Sequence, residues 1–111
     1  MVEIKQQEII TLRGRLKMGI TSGTSINGDD FFRVPLKVTE TEKSGQKIEN
    51  QFDSIMLIFW KKNFDSRSQS VINNLKENQL ITVHGNVGGQ NNGLLRVVEF
   101  ETGDNEEDVF I

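Results

Sequence analysis

A chain of 111 residues, 35% of them hydrophobic, can enclose one compact core but not two. It has no cysteine, which excludes disulfides, thiolate metal ligands and a cysteine nucleophile, and no stretch approaches the roughly 18–20 apolar residues of a membrane span. The formal charge of −3 excludes a global positive field, but four of the 16 acidic residues, Asp104, Glu106, Glu107 and Asp108, crowd the last ten positions without a base. Setting them aside leaves 12 acidic against 13 basic residues, so any polyanion site has to come from local clustering. Met1-Val2-Glu3-Ile4-Lys5 lacks the apolar run of a signal peptide, so the expectation is a soluble protein of the cytoplasm.

The first predicted strand runs from Ile10 to Met18. Ile10, Leu12, Gly14, Leu16 and Met18 alternate with Thr11, Arg13, Arg15 and Lys17, and a period of two sets three cations on the face opposite the apolar row. Gly19–Asp29 reads as a loop. From Phe31 to Glu40 the alternation returns: Phe32, Val34, Leu36 and Val38 point one way, and Phe31, Arg33, Pro35, Lys37 and Thr39 the other. Pro35 cannot donate to a ladder, which predicts a sheet edge or a bulge. Thr41–Asn50 reads as a second loop centred on Ser44-Gly45.

Gln51 to Trp60 is apolar on both faces. Ile55, Leu57 and Phe59 form one row and Phe52, Met56, Ile58 and Trp60 the other, the pattern of a strand covered by core on one side and by a partner on the other. Between Asp65 and Asn78 the spacing of Val71, Ile72 and Leu75 predicts a short helix, capped by Ser66 or Ser68 and ended by Asn78. Ile81, Val83, Gly85 and Val87 alternate in a fourth strand, Gly88–Gly93 reads as a hairpin turn, and Leu94–Glu101 is the fifth strand. Five strands with a helix between the third and fourth give an all-β, five-stranded Greek-key OB barrel over residues 1–101. Residues 102–111 form an acidic tail with an apolar tip. Periodicity alone leaves a small sandwich or another open barrel standing.

Ile10-Thr11-Leu12-Arg13-Gly14-Arg15-Leu16 resembles the opening strand of the bacterial and phage single-stranded-DNA-binding proteins, in which a glycine interrupts an apolar strand. The block from Glu49 to Val87 is similar to the same family, most closely at Leu75-Lys76-Glu77-Asn78-Gln79-Leu80-Ile81-Thr82-Val83-His84-Gly85-Asn86-Val87. The likeness covers about residues 9–101 and suggests a short, phage-type member. It implies an OB fold, homo-oligomers (a dimer or tetramer), and sequence-tolerant binding of single strands in replication and recombination. Where the family usually carries Trp followed by His at the start of the third strand, this chain reads Phe52-Asp53-Ser54, with its only tryptophan at the far end as Trp60. Members of the family end in acidic residues and an apolar tip that docks on replication and repair proteins. The resemblance extends that role to Asp108, Val109, Phe110 and Ile111, although the Pro is absent and Phe is not last. A frayed acidic end is the plainer alternative.

Holding a single strand without reading it needs cations along the phosphates and flat rings against the bases. The candidates are Arg13, Arg15, Lys17, Phe31, Arg33, Lys37, Phe52, Trp60, Lys61 and Lys62. Two plainer readings stand beside this one: a solvated face for the alternating cations, and a subunit interface or barrel end for Trp60. Met56 and Ile58 suit oligomer contacts. The chain shows no catalytic constellation, cofactor motif or metal site: His84 is its only histidine, and Gly88-Gly89 lacks the Lys-Ser/Thr of a phosphate loop. The alternative function is an OB-fold protein-interaction module with weak nucleic-acid contact. An OB-fold nuclease would need a carboxylate–arginine cluster that cannot be placed here.

Overall fold

The computed structural model describes residues 8–88 and 93–103. In chain order these form β1 (Ile10–Leu16), β2 (Thr21–Thr24), β3 (Asp30–Lys43), β4 (Gln46–Ile48), β5 (Ser54–Trp60), a short 3-10 turn (Lys61–Asn63), α1 (Ser66–Asn73), β6 (Leu80–Gly88) and β7 (Leu94–Thr102). Strands β1, β6, β7, β5 and β3 pair in that order, and β1 pairs back onto β3, which closes a ring. All these pairings are antiparallel except β5 with β7. With α1 between the third and fourth strands of the ring, this is the connectivity of the OB barrel, as the alternation predicts.

The alternating rows sort as expected. Ile10, Leu12, Leu16, Phe32, Val34, Leu36, Val38, Ile55, Leu57, Phe59, Ile81, Val83, Val87, Leu95 and Val97 fill the interior, and Ile72 and Leu75 seal it from the helix side. Met18 departs from its row because β1 ends at Leu16, and it stands half-exposed. Phe52 also departs: β5 begins only at Ser54, and Phe52 packs against the core instead of extending an outer row.

Other departures come from pairings that alternation cannot show. The predicted loop Gly19–Asp29 contains β2, which pairs with Asp30–Arg33 of β3. The predicted loop Thr41–Asn50 is a tight hairpin between β3 and β4, with Ser44 at φ 55° and Gly45 at φ 78°, the two left-handed residues of a type I′ turn. Pro35 lies neither on an edge strand nor at a bulge. Its carbonyl accepts from the Lys17 amide at 2.9 Å. A strand residue's N–H and C=O point to the same side, so the donor that Pro35 lacks faces Lys17, one residue past the end of β1, and the β1–β3 ladder stops there.

Two bulges bend the ring. The β1–β3 register slips between Arg13 and Gly14, leaving Thr39 unpaired, and the β6–β7 register slips between His84 and Gly85. A glycine occupies each site because a Cβ on Gly14 would overlap the Lys37 carbonyl oxygen and one on Gly85 the Arg96 carbonyl oxygen.

The helix is shorter than its predicted span, and its cap is Asp65 rather than a serine: the Ser68 amide donates to Asp65 Oδ1 at 2.8 Å. Asn74, not Asn78, caps the other end, and Asn78 takes φ 71° in the turn before β6. The hydrogen bond from Ser68 holds the Asp65 carboxyl below its ordinary value of 3.8. A depressed carboxyl stabilises the fold above its ordinary pKa, and that contribution is lost as the pH falls through the lower folded value. Asp65→Asn keeps a capping oxygen without the charge, so its Tm is expected to change less than wild type between pH 5 and pH 2.5 in a calorimetric scan. An identical acid profile in both proteins would remove Asp65 from the pH response.

No helix among the described residues is long and apolar enough to cross a membrane. The predicted turn Gly88–Gly93 falls mostly on residues 89–92, which, like Asp108, Val109, Phe110 and Ile111, lie outside the described residues.

Candidate nucleic-acid interface

The outer face of β3 carries Phe31, Arg33, Pro35 and Lys37 in one row, and the pairing with β5 sets Trp60, Ile58, Met56 and Ser54 directly opposite them. The parallel pairing of β7 with β5 then places Arg96 beside Ile58 and Leu94 beside Met56. The middle of this face is thus a cross-strand line, Arg33–Ile58–Arg96, with an apolar residue between two cations. Ile58 is only 6% exposed although it points away from the core. The expected cover over the second apolar row of β5 is therefore supplied, at Ile58, by the chain itself.

At one end of the row the rings of Phe31 and Trp60 meet edge to face, centroids 5.3 Å apart. Phe31 also lies against Gly23 of β2, where an added Cβ would approach its Cζ to 2.7 Å. Phe31 is therefore half-buried, braced between β2 and Trp60, rather than a free-standing ring.

The cations differ in what they already hold. Arg33 Nε meets Thr21 Oγ1 at 3.4 Å, and Arg96 Nη2 donates to Asn86 Oδ1 at 2.9 Å. Both partners are neutral, so both charges stay available. Lys37 and Lys17 are exposed and form no ion pair among the described residues. Arg15, in register with Lys37, donates from Nη1 to the Asn78 carbonyl at 2.8 Å.

Arg13 is different. Its Nη1 lies 2.9 Å from Glu42 and 3.3 Å from Glu40, and Glu40 also pairs with Lys47 at 3.2 Å. The hydrogen bond to Glu42 is the largest of the influences that raise the Arg13 pKa above its ordinary value. Its charge is thus neutralised where those of Arg15, Lys17, Arg33, Lys37 and Arg96 are not.

Lys62 pairs with Asp29 at 3.2 Å beside Trp60. Lys61 turns the other way: its ammonium sits 4.6 Å from the centroid of Phe32, an inner-face ring. The candidates Phe31, Arg33, Lys37, Trp60 and Arg15 therefore share the outer face, with Lys17 and Lys62 at its margins. Arg13 is ion-paired, Lys61 lies over Phe32, and Phe52 packs on the core.

Sequence reasoning missed Arg96. The signal was there, since Arg96 is the one base among Leu94–Thr102 and alternates with Leu95 and Val97. What placed it beside Ile58 was the parallel β5–β7 pairing, which no local pattern announces. His84, the only histidine, shares a 2.8 Å hydrogen bond with Thr11 across β1 and β6. Among the described residues no group of three or more His, Asp or Glu is gathered as a metal site.

The barrel is the fold of the single-stranded-DNA-binding proteins. It is similar to a mitochondrial single-stranded DNA binding protein from S. cerevisiae, at TM-score 0.62 and 12% identity, covering 94% of this chain and 99% of that one. It is similar to the dimeric N-terminal domain of PriB from Thermoanaerobacter tencongensis, at TM-score 0.59 and 16% identity, covering 88% and 98%. A small single-stranded DNA-binding protein from Streptomyces coelicolor matches at TM-score 0.58 and 13% identity, covering 87% and 94%. At these identities the shared property is the OB fold. No protein-family model and no curated protein matches the sequence.

Proposed function

We propose that this chain binds single-stranded DNA along the outer face of β3, β5 and β7 and holds it unpaired, as a binding protein with no catalytic step. The observation that carries the reading is the convergence of the Phe31–Trp60 pair with Arg33, Lys37 and Arg96 on one face of an OB barrel. Rings stack on any base and cations follow the phosphates, so the face suits a strand of any sequence. Arg15 and Lys17 extend the cationic margin, and Lys62, paired with Asp29, borders it. The neutral body excludes long-range capture by net charge and leaves the work to this local cluster.

One such face covers few nucleotides, so assembly as a dimer or tetramer adds avidity along one strand. Work in replication or recombination in the cytoplasm, with the tail from Asp108 to Ile111 capturing partner proteins, completes the reading. Likeness to the single-stranded-DNA-binding proteins supports it.

The test is a titration with oligothymidine at several salt concentrations, following Trp60 emission. Quenching, with an affinity that falls as salt rises, is the expected result. No binding at low salt would refute the reading. It would favour the protein-interaction module, to which the half-buried Pro35, Met56 and Leu94 on the same face would lend an apolar strip.

The neutralised Arg13 gives a second test. Glu40→Gln with Glu42→Gln releases its guanidinium, which then meets a phosphate at the end of the row. Affinity for oligothymidine is expected to rise, and the slope of log K against log salt to steepen by about 0.7. A slope equal to that of wild type would place Arg13 off the strand's path.

A further inference from the structure

The β2–β3 loop borders a cleft of about 230 Å³, walled by Trp60 and Arg96 and rimmed by Asn27, Asp29, Lys62 and Asn63. We propose that this cleft receives one nucleobase turned out of the strand, cytosine in preference to thymine, and so adds a base preference to an otherwise sequence-tolerant track. The inference rests on the reading of the outer sheet as that track.

Size is the first argument. The cleft is smaller than the roughly 300–1,000 Å³ of sites for drug-sized ligands, yet several times the ~30 Å³ share of a water molecule. A single ring system fits that range. The wall is the second. Trp60 belongs both to the cleft and to the outer row, so a strand crossing the row passes the cleft's mouth.

Chemistry decides between bases. An aromatic wall accepts every base alike, and discrimination falls to groups that meet base edges. A carboxylate accepts from the exocyclic N4 amino group of cytosine, whereas thymine presents the O4 acceptor at that place and meets the carboxylate lone pair to lone pair. Asp29 has the oxygen to spare. Oδ2 pairs with Lys62 Nζ at 3.2 Å, while Oδ1 makes no hydrogen bond among the described residues. The Lys62 ion pair also offsets the repulsion that a bare carboxylate would exert on nearby phosphates. The amides of Asn27 and Asn63 offer both donors and acceptors to the remaining base edge.

The loop holds Asp29 ready. The Ser25 amide donates to the Asp29 carbonyl at 2.8 Å, the Gly28 amide to the Ser25 carbonyl at 2.9 Å, and the Asp29 amide to Ser25 Oγ at 3.2 Å. Gly28, at φ 85°, makes the turn that closes this knot. A site held in place by its own backbone loses little entropy when a base arrives.

The experiment measures affinity for oligodeoxycytidine and oligodeoxythymidine of equal length at one salt concentration, for wild type, Asp29→Ala and Asn63→Ala. Wild type is expected to bind the cytidine strand about tenfold more tightly, the effect of one hydrogen bond to a charged group. Asp29→Ala brings that ratio close to one, and a thermal melt like that of wild type shows that the variant is folded. Asn63→Ala weakens binding of both strands and leaves the ratio near that of wild type. Equal wild-type affinity for the two strands, or an undiminished ratio in Asp29→Ala, overturns the base pocket and leaves the track standing. Binding of neither strand overturns both.

Discussion

Trp60→Ala is expected to weaken binding of oligothymidine by about 5- to 150-fold, the range that corresponds to losing one stacked base at roughly 1–3 kcal/mol. Three features lead us to expect the largest single effect at Trp60. It is the only tryptophan, it stands at the junction of β5 with the cleft, and its ring meets that of Phe31 edge to face at 5.3 Å. A ring already held in place loses little rotamer freedom on binding. Trp60→Phe retains a flat ring and is expected to recover most of the loss, which separates stacking from simple removal of bulk. Phe31→Ala acts one step away: it withdraws the brace between Gly23 and Trp60 and weakens binding by a smaller factor. None of these variants removes a cation, so the salt slope stays that of wild type. Fluorescence anisotropy of a labelled strand reads all three, and unchanged affinity in Trp60→Ala would take the ring out of the interface.

Gly14→Val is expected to lower stability by about 3 kcal/mol or more, the upper end of what overpacking costs, and the Tm by roughly 12–24 °C. The added Cβ has nowhere to go. It would overlap the Lys37 carbonyl oxygen, a backbone atom of the strand that bears the outer row, and it sits at the bulge where β1 crosses onto β3. Relief requires moving one strand of a closed ring, and Gly14 is also held by β6 through Ile81. Gly19→Val is the control, because nothing lies within 4 Å of a Cβ there. A thermal melt of both variants is sufficient, and a Gly14→Val protein as stable as Gly19→Val would contradict the close approach.

The two proteins test different links of one chain of causes. Gly14 and Gly85 let the strands bend into a ring, and the ring brings the outer faces of β3, β5 and β7 side by side. That juxtaposition is also what no local pattern in the sequence encodes. The rows of β1 and β3 were legible because a period of two separates Leu12 and Leu16 from Arg13 and Arg15 without reference to any other strand. Ile58 and Arg96 were not, because their meeting depends on a parallel pairing between segments about forty residues apart. Arg13 shows the same limit within a single strand. Alternation assigns it to the cationic face, but its ion pairs come from Glu40 and Glu42, which the Thr39 bulge and the length of β3 bring alongside. The short β2 was hidden for another reason: Thr21-Ser22-Gly23-Thr24 has no apolar row, and its pairing with β3 alone makes it a strand.

Backbone amide shifts recorded with and without oligothymidine test the central claim most directly. The claim predicts perturbation at Phe31 to Lys37, at Ile58 to Lys62 and around Arg96, with Ser66 to Asn73 unmoved. Shifts gathered on α1, with the outer faces of β3 and β5 silent, would contradict it.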